Sequence, residues 1–461
     1  MLAELAAAVR ARTILAEELV RRSLERIERL DGPINSVVLI HADAALADAR
    51  ALDRSVASGD DPGPLAGLPV LVKDNEDVTG LPTTFGSLLR ADAAPAERDC
   101  EQVARLRGAG AVVVGKTNLP EFAFEGFTDN RLFGATCNPW APAWTPGGSS
   151  GGSGAALAMG TSPLATGTDG GGSVRIPAAF CGLIGLKPTN GLIARDPIPS
   201  WIDLSTKGPL ASSAADARLL LEVLKGPVAG DPSAHPGWAA RRDAAPSRIL
   251  ATPRMSGVRS LPTGIAASWD RALADLAVAT SVPIEPIEPP VPSHFDDDWF
   301  TLVAVEERTW VGGDELDERV ADLTEYLRFS SEYAKRTSVE DYLAARRRRF
   351  EMVKLIDELL EPNAVMVSPT MCEEGFLVDG TLPGGPGLDV TPAGAYNTMT
   401  ANMTGCPAIS LPAGRSANGV PFGLMVTAPR YADDLLLTVA EQWEAARPWP
   451  RTAPGFEPFD A

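Results

Sequence analysis

The sequence predicts an α/β protein in which helices cover both faces of a large mixed β-sheet. Short apolar runs at residues 36–40, 68–72 and 111–114 have the length and composition of buried strands. Helical stretches, such as residues 99–108, lie between these runs. Because strands and helices that alternate along a chain usually build one layered sheet, we expect neither an all-helical nor an all-β structure.

Residues 1–30 predict an amphipathic surface helix. Apolar residues from Ile14 to Leu30 recur mostly every three or four positions among charged residues. Glu and Arg interrupt every apolar stretch, so neither the hydrophobic segment of a signal peptide nor a span of about 20 apolar residues can form here. We therefore expect a cytoplasmic protein with no membrane partner.

The composition of the chain argues against a nucleic-acid partner and against disulfides. The 60 acidic residues outnumber the 41 basic ones, and the formal net charge of −19 repels phosphate backbones. The cysteines are odd in number, widely spaced and free of any C-x-x-C pair, which predicts reduced thiols. They are Cys100, Cys137, Cys181, Cys372 and Cys406.

The length of 461 residues leaves the number of domains open. Two stretches rich in Pro, Gly and Asp, at residues 226–247 and 282–298, bound an insertion that need not be a separate domain. Residues 317–360 are strongly helical and include four consecutive arginines, from Arg346 to Arg349. We expect this run to form a solvated helix face.

Residues 145–189 concentrate glycine, serine and threonine around small apolar segments. A flexible linker would lack the apolar segments, so this tract predicts tightly folded loops and the chemical centre of the protein. A phosphate-binding Walker loop is disfavoured, because Gly154 is followed by Ala155 and Ala156 where that motif requires Lys and then Ser or Thr.

The histidines do not lie in a catalytic setting. His235 and His294 lie in Pro-rich segments, and His41 follows an apolar run. The G-x-S-x-G elbow of α/β-hydrolases has only accidental partial matches, and histidine-carboxylate clusters at metal-ligand spacing are missing. A Ser-His-Asp triad and a metal centre are therefore poorly supported.

A serine nucleophile with a lysine base is the remaining arrangement. Lys73 directly follows the apolar run at residues 68–72, so it is expected to end a buried strand. Burial disfavours the charged form of lysine and lowers its pKa, and a neutral amine can accept a proton. A surface lysine whose stem alone is buried is the other interpretation of the same pattern.

Several blocks resemble the amidase signature family of serine hydrolases. GGSSGG at residues 147–152 and TDGGGS at residues 168–173 resemble the two serine blocks, and GLPVLVKDN at residues 67–75 resembles the lysine block. Further similar blocks follow in the expected order, at residues 115–124, 133–140, 180–189 and 403–414.

The resemblance implies a single α/β/α domain over residues 1–461. Its amidase-signature core would lie at about residues 60–210, a variable helical insertion at about 226–360, and the C-terminal part of the same sheet at about 361–461.

The resemblance also implies a Ser-Ser-Lys triad of Ser173, Ser149 and Lys73. The family places its central serine 24 residues before the nucleophile, and 173 − 149 is 24 here. The implied reaction is hydrolysis of a carboxamide C–N bond to a carboxylate and ammonia or an amine. It would proceed through an acyl-enzyme on Ser173, with Ser149 and neutral Lys73 as the proton relay and no cofactor.

Neighbouring residues receive supporting roles from the same resemblance. The backbone N–H groups of Gly170, Gly171, Gly172 and Ser173 would form the oxyanion hole, and the Gly148–Ser149 peptide bond would be cis. The family commonly has a larger residue where this chain has Gly170, which would widen or loosen the oxyanion region.

Three polar side chains would support these loops. Asp169 and Arg175 would brace the oxyanion loop through hydrogen bonds or an ion pair. Ser150 would orient the hydroxyl network or simply stabilise its own loop.

The alternatives lie mostly inside the family. The glutamine-hydrolysing component of a tRNA amidotransferase, its A chain, generally has Met-Asp-Glu-Phe where this chain has Leu119-Pro120-Glu121-Phe122, which favours a stand-alone amidase. A urea-derivative hydrolase or an esterase would use the same triad. A non-catalytic binding protein would be expected to lose a reacting side chain.

The substrate is expected to be a small-molecule amide. The pocket walls are expected to come from residues 124–130, 201–204, 299–310 and 371–376, whose aromatic side chains suit an apolar or aryl acyl group or simply pack the core. Glu373 and Glu374 are a further pair that would recognise a basic group or be solvated. A homodimer would be ordinary for an enzyme of this size.

Overall fold

The computed structural model describes residues 1–234, 245–257, 260–292, 294–360, 363–381 and 397–460. The α-helices in these ranges are α1 Leu2–Arg10, α2 Ala16–Leu30, α3 Ala42–Ser58, α4 Glu101–Gly108, α5 Gly151–Ala158, α6 Arg175–Cys181, α7 Ala214–Leu224, α8 Thr263–Thr280, α9 Phe295–Val311, α10 Gly313–Glu318, α11 Glu325–Arg336, α12 Val339–Leu359, α13 Met399–Thr404 and α14 Asp433–Ala446. The strands are β1 Val37–Ile40, β2 Pro69–Lys73, β3 Val112–Thr117, β4 Leu164–Ala165, β5 Thr168–Asp169, β6 Ile184–Lys187, β7 Thr206–Lys207, β8 Leu210–Ala211, β9 Arg248–Ala251, β10 Ile284–Pro286, β11 Ala364–Pro369, β12 Ala408–Arg415 and β13 Pro421–Thr427. Short 3₁₀-helices lie at Leu88–Arg90, Glu121–Ala123 and Val320–Asp322.

The central strands confirm the predicted mixed α/β fold. Four strands pair in the order β1-β3-β2-β4 and seven in the order β10-β9-β11-β13-β12-β6-β8. Strand β4 contacts β8, so the two groups are neighbours. Strand β2 is parallel to β3 and β4, whereas β12 is antiparallel to β6 and β13. The segment from residue 226 to 360 contributes strands β9 and β10 as well as helices α8 to α12.

The N-terminal region forms two helices where one was expected. Arg12 has a positive φ of 60°, and the chain turns between α1 and α2. The first N–H groups of α2 are satisfied by a distant side chain, because Asp53 of α3 accepts hydrogen bonds from Ala16 N at 2.8 Å and Glu17 N at 3.1 Å. Because the capping side chain is distant in sequence, the residues around the start of α2 do not indicate this cap.

Three of the four arginines of the α12 run are paired and not simply solvated as expected, whereas Arg347 is exposed. Arg348 Nε donates to Asp298 Oδ2 at 2.9 Å, and Arg346 pairs with Asp203. Arg349 Nε donates to the Met403 carbonyl at 2.6 Å. These contacts fasten α12 to segments far away in sequence.

Helix α6 holds the second glycine-serine block in place. It packs against β6, β12 and β13, while α7, α8 and α14 pack together against the sheet. Gly185 of β6 permits the close approach of α6, because a Cβ atom there would lie 2.6 Å from Ala178 Cβ and 2.7 Å from the Val174 carbonyl oxygen. Ser173 immediately precedes Val174, so this packing fixes its position.

No helix in the described part of the chain has both the length and the apolar character needed to cross a membrane.

Replacing Gly185 with alanine tests whether α6 packs closely on β6. The added methyl group would press on Ala178 and Val174, and overpacking of this kind lowers the free energy of unfolding by about 1–3 kcal/mol. Urea unfolding measures the change. Gly32→Ala is the matched control, since a Cβ atom at Gly32 meets nothing within 4 Å. An unchanged unfolding midpoint for Gly185→Ala would show that α6 does not rest on β6 in this way.

Candidate active site

Lys73 and two loops of the predicted chemical centre meet at the end of β2. Lys73 is the last residue of this fully buried parallel strand, and its backbone N–H donates to Thr166 Oγ1 at 2.9 Å. The loop before α5 and the loop before α6 are joined by a hydrogen bond from Ser150 N to the Ser173 carbonyl at 3.2 Å. The strand therefore delivers Lys73 between two loops that are already tied together.

The Lys73 side chain is completely buried. Its Nζ atom donates to Ser149 Oγ at 2.7 Å and to Thr168 Oγ1 at 2.8 Å. Burial lowers the pKa of Lys73 to about 7, while the Glu76 carboxylate raises the pKa and the Lys207 cation lowers it further. Of the two interpretations of Lys73, the structure shows the buried one.

The Gly148–Ser149 peptide bond is cis, as the resemblance implies. No side chain fits at Gly148, because a Cβ atom there would lie 2.4 Å from the Phe127 carbonyl oxygen. Ser149 is buried and places its hydroxyl against Lys73. The Ser150 hydroxyl accepts from Thr168 N at 3.3 Å, so Ser150 ties its own loop to β5.

Ser149 and Ser173 line one cavity. The cavity measures about 810 Å³ when the space open to solvent at its mouth is included. Ser173 is 8% exposed, whereas Ser149 is 1% exposed. The contacts of the described residues include no hydrogen bond between these two hydroxyls, so in this state they face the cavity separately.

Asp169 and Arg175 form a buried ion pair that braces the loop containing Ser173. Arg175 Nε and Nη2 donate to the two Asp169 oxygens, each at 2.9 Å, and Asn402 Nδ2 donates to Oδ1 at 2.9 Å. Burial alone would raise the pKa of Asp169, but the charge and hydrogen bonds of Arg175 outweigh it, and the pKa lies at about 2. The expected bracing contact is thus present.

One of the four expected oxyanion donors is used inside this loop. Gly172 N donates to Asp169 Oδ1 at 2.8 Å, so its N–H is engaged with a carboxylate and is not free for a substrate. The contacts of the described residues include no hydrogen bond from the N–H groups of Gly170, Gly171 or Ser173. This corrects the expectation for Gly172, whose N–H stabilises the loop.

Two tryptophans cover the oxyanion loop at Gly170 and Gly171. A Cβ atom at Gly170 would lie 2.3 Å from Trp201 Cε3, and one at Gly171 would lie 2.5 Å from Trp299 Cζ2. Trp299 Nε1 also donates to the Gly170 carbonyl at 3.3 Å. The small residue at position 170 therefore makes room for the Trp201 ring and leaves no widened gap.

The cavity walls come only partly from the segments that the sequence suggested. The predicted segments 201–204 and 299–310 supply Trp201, Glu307 and Trp310. Among the described residues, segments 124–130 and 371–376 supply none, and Glu373 and Glu374 do not line the cavity.

Other residues of the cavity wall were not predicted from the sequence. They include Phe85, Phe122, Lys207, Arg195 and residues 197–200. The proline pair Pro197 and Pro199 was the signal for a rigid loop, but nothing in its local pattern indicated where that loop would lie.

The histidines that the structure describes do not line this cavity: His41 precedes α3 and His294 precedes α9. His235 lies outside the described residues. The five cysteines are free thiols, and of these only Cys100 borders the cavity.

Comparison with known proteins identifies the family of this chain. The family model described as Amidase matches residues 18–437. The chain is 34% identical to an acylamidase of Rhodococcus erythropolis over 97% of this chain and 95% of that protein. It is also 34% identical to the A chain of the glutamyl-tRNA(Gln) amidotransferase of Chromohalobacter salexigens, over 99% of this chain and 98% of that protein.

The fold is similar to that of a solved bacterial aryl acylamidase of the amidase signature enzymes. The TM-score is 0.87 at 28% sequence identity, over 96% of this chain and 95% of that one. The family match spans both serine loops and Lys73, and the fold similarity spans nearly all of both chains. The chain therefore belongs to the amidase family of amide-hydrolysing enzymes.

Proposed function

We propose that this chain hydrolyses the C–N bond of a small-molecule carboxamide through an acyl-enzyme on Ser173. The observation that carries the proposal is the buried 2.7 Å hydrogen bond between Lys73 Nζ and Ser149 Oγ at the wall of the cavity that Ser173 lines. A nucleophile, a relay hydroxyl and an amine of lowered pKa are the parts that a serine–lysine hydrolase requires.

The proton path follows the order of these groups. Ser173 Oγ attacks the carbonyl carbon and gives its proton to Ser149 Oγ, which passes its own proton to neutral Lys73 Nζ. When the tetrahedral intermediate collapses, the C–N bond breaks and the proton returns through Ser149 to the leaving nitrogen. Water then attacks the acyl-enzyme by the same relay and releases the carboxylate.

The two serine hydroxyls must come together for this step. Hydrogen bonds between catalytic groups are often long in unliganded enzymes and tighten when substrate binds. A side-chain rotation of Ser173, which already borders the cavity, would supply the contact.

The proposed oxyanion donors are the N–H groups of Gly170, Gly171 and Ser173, without Gly172. None of the three has a partner among the described contacts, and Gly170 and Ser173 border the cavity. Loss of one such donor typically costs about 3–4 kcal/mol of transition-state stabilisation. The Asp169–Arg175 pair and the Ser150 bonds would keep these groups in place before substrate arrives.

The glutamine-hydrolysing chain of a tRNA amidotransferase is the second candidate, because such a chain matches this one at 34% identity over nearly its full length. Ammonia release from glutamine that is selective over other amides would favour it. Urea derivatives and esters are accessible to the same triad, since the chemistry acts on the carbonyl group.

We also propose a cytoplasmic location and a homodimer. The free thiols, four of which are buried, suit a reducing compartment. Exposed apolar side chains on α11 and α12 suit a contact between two copies of the chain, among them Phe329 and Phe350, each 65% exposed. Light scattering on the purified protein would test the dimer.

Labelling with a fluorophosphonate probe tests the nucleophile and its base. We expect wild type to react at Ser173, Ser173→Ala to lose labelling, and Lys73→Ala to react about 10²–10⁴ times more slowly, because the relay loses its proton acceptor. Lys187→Met is the matched control: Lys187 is equally buried and burial likewise lowers its pKa to about 7, yet its Nζ atom bonds Pro188 and Asn190 outside the cavity. Full labelling of Ser173→Ala would overturn the assignment.

The pH dependence of kcat/KM tests the state of Lys73. Only the neutral amine accepts a proton, and its pKa lies at about 7, so activity should rise through pH 7 and fall about tenfold per pH unit below it. In Lys73→Ala this rise should disappear from the profile. A wild-type profile that is flat between about pH 6 and 8 would contradict a lysine base.

Replacing Gly170 with alanine tests the packing of the oxyanion loop. The methyl group would collide with Trp201 and with Ser205 Oγ, 2.8 Å away, so we expect kcat/KM to fall at least about tenfold and stability to fall by about 1–3 kcal/mol. Gly108→Ala in α4, where a Cβ atom meets nothing within 4 Å, should leave both unchanged or slightly raise stability. Wild-type kinetics in Gly170→Ala would mean that Trp201 does not constrain this loop.

A further inference from the structure

Two of the charged side chains that border the cavity form ion pairs, and a third does not. Arg195 Nε pairs with Asp231 Oδ2 at 3.1 Å, and Lys207 Nζ pairs with Glu76 Oε1 at 2.9 Å. Glu307 also borders the cavity, but the ion pairs of the described residues do not include it. The two cations are thus neutralised by the protein's own carboxylates, whereas this acid has no countercharge.

Only one of the two oxygen atoms of the Glu307 carboxyl group has a hydrogen-bond partner in the protein. Its side chain lies on α9 and the residue is 1% exposed. Oε2 accepts a hydrogen bond from Ser200 Oγ at 2.8 Å, while Oε1 has no partner. Trp201 Nε1 lies beside the carboxyl group and lowers its pKa, although it does not have the geometry of a hydrogen bond to either oxygen. Buried polar atoms are nearly always bonded, so an unpartnered one at a cavity wall marks a position for a ligand atom.

An aromatic cluster lies next to Glu307 at the cavity mouth. Trp310 follows Glu307 by three positions on α9, so both side chains lie on the same face of the helix. Its ring centroid lies 5.2 Å from that of Phe85 and 6.3 Å from that of Phe122, and Trp310 is 45% exposed. All three rings border the cavity. Aromatic faces attract cations, and most strongly where water is partly excluded.

We propose that Glu307 and the rings of Phe85, Phe122 and Trp310 form a subsite for a protonated amine, which makes amides carrying an ammonium group the favoured substrates. An ammonium group supplies both the countercharge and the hydrogen-bond donor that Oε1 lacks, and the rings lie along its entry path. The consequence for substrate choice rests on the proposed amide hydrolysis, whereas the binding of the amine does not.

The position of Trp201 connects this subsite to the reacting serine. One edge of the indole ring packs on Gly170, and the Nε1 edge lies beside Glu307. An ammonium group at Glu307 would thus be about one indole ring away from the oxyanion loop. Burial raises the pKa of Glu307 to about 8, although the Ser200 hydroxyl and the Trp201 indole lower it. The free acid is therefore largely protonated at neutral pH, and a bound cation would lower its pKa and favour the carboxylate.

Isothermal titration calorimetry with benzylammonium and its neutral analogue benzyl alcohol tests the subsite directly. We expect wild type to bind benzylammonium at least about tenfold more tightly than benzyl alcohol, and Glu307→Gln to lose that preference. Trp310→Leu should weaken benzylammonium binding several-fold. Thermal unfolding of each variant shows whether the fold is intact.

Glu306→Gln is the matched control for Glu307→Gln. Glu306 is the adjacent acid on α9 and is also buried, but it accepts hydrogen bonds from Ile202 N at 2.9 Å and Tyr342 Oη at 2.8 Å and does not border the cavity. The Glu306→Gln variant should keep the preference for benzylammonium. Equal binding of the two ligands by wild type, or a preference that survives in Glu307→Gln, would overturn the subsite.

Ammonia release from 5-aminopentanamide and from hexanamide, its uncharged analogue of equal length, tests the consequence for substrates. We expect wild type to favour 5-aminopentanamide at least about tenfold in kcat/KM, and the ratio to approach one in Glu307→Gln. A wild-type ratio near one would overturn the inference about substrates. If neither amide is hydrolysed and Ser173 is not labelled, but benzylammonium still binds selectively through Glu307, the proposed function fails and the subsite stands.

Discussion

The burial of Lys73 is the constraint on which the rest of the site depends. An amine at the end of a fully buried parallel strand loses its hydration, which lowers its pKa to about 7. A carboxylate paired with Lys73 would restore the charge. The two acids whose charges act on its pKa are paired elsewhere, Glu76 with Lys207 and Asp169 with Arg175, so the amine keeps only the hydroxyl contacts of Ser149 and Thr168.

Close backbone packing explains why the loops around Lys73 consist of such small residues. A side chain at Gly148 would collide with the Phe127 carbonyl, and one at Gly152 would lie 2.5 Å from Asn118 N. A side chain at Gly185 of β6 would likewise collide with Ala178 of α6 and with Val174. Glycine at these positions lets three segments approach within backbone contact, which excludes water from the lysine and brings both serines to one cavity.

The reaction centre and the specificity surface come from different parts of the chain. Lys73 lies at the end of β2 and the two serines lie in glycine-rich loops, whereas Trp299, Glu307 and Trp310 come from α9. Trp299 packs on the oxyanion loop, and the other two border the space for the substrate. A change in α9 can therefore alter which amide is accepted without moving the reacting groups, since substrate choice depends on contacts remote from the carbonyl.

The sequence by itself determined the α/β class, the position of Lys73 at the end of an apolar run and the interval between the serine blocks. Each of these features depends only on residues that are close together in the sequence. Only the tertiary structure decided that the Gly172 N–H donates to Asp169, that Arg346 and Arg348 are paired, and that Glu307 borders the cavity with its Oε1 atom unpartnered. Each of these depends on contacts between segments far apart in the chain. Local hydrophobic pattern specifies which segments are buried, but the path of the chain decides which polar groups meet.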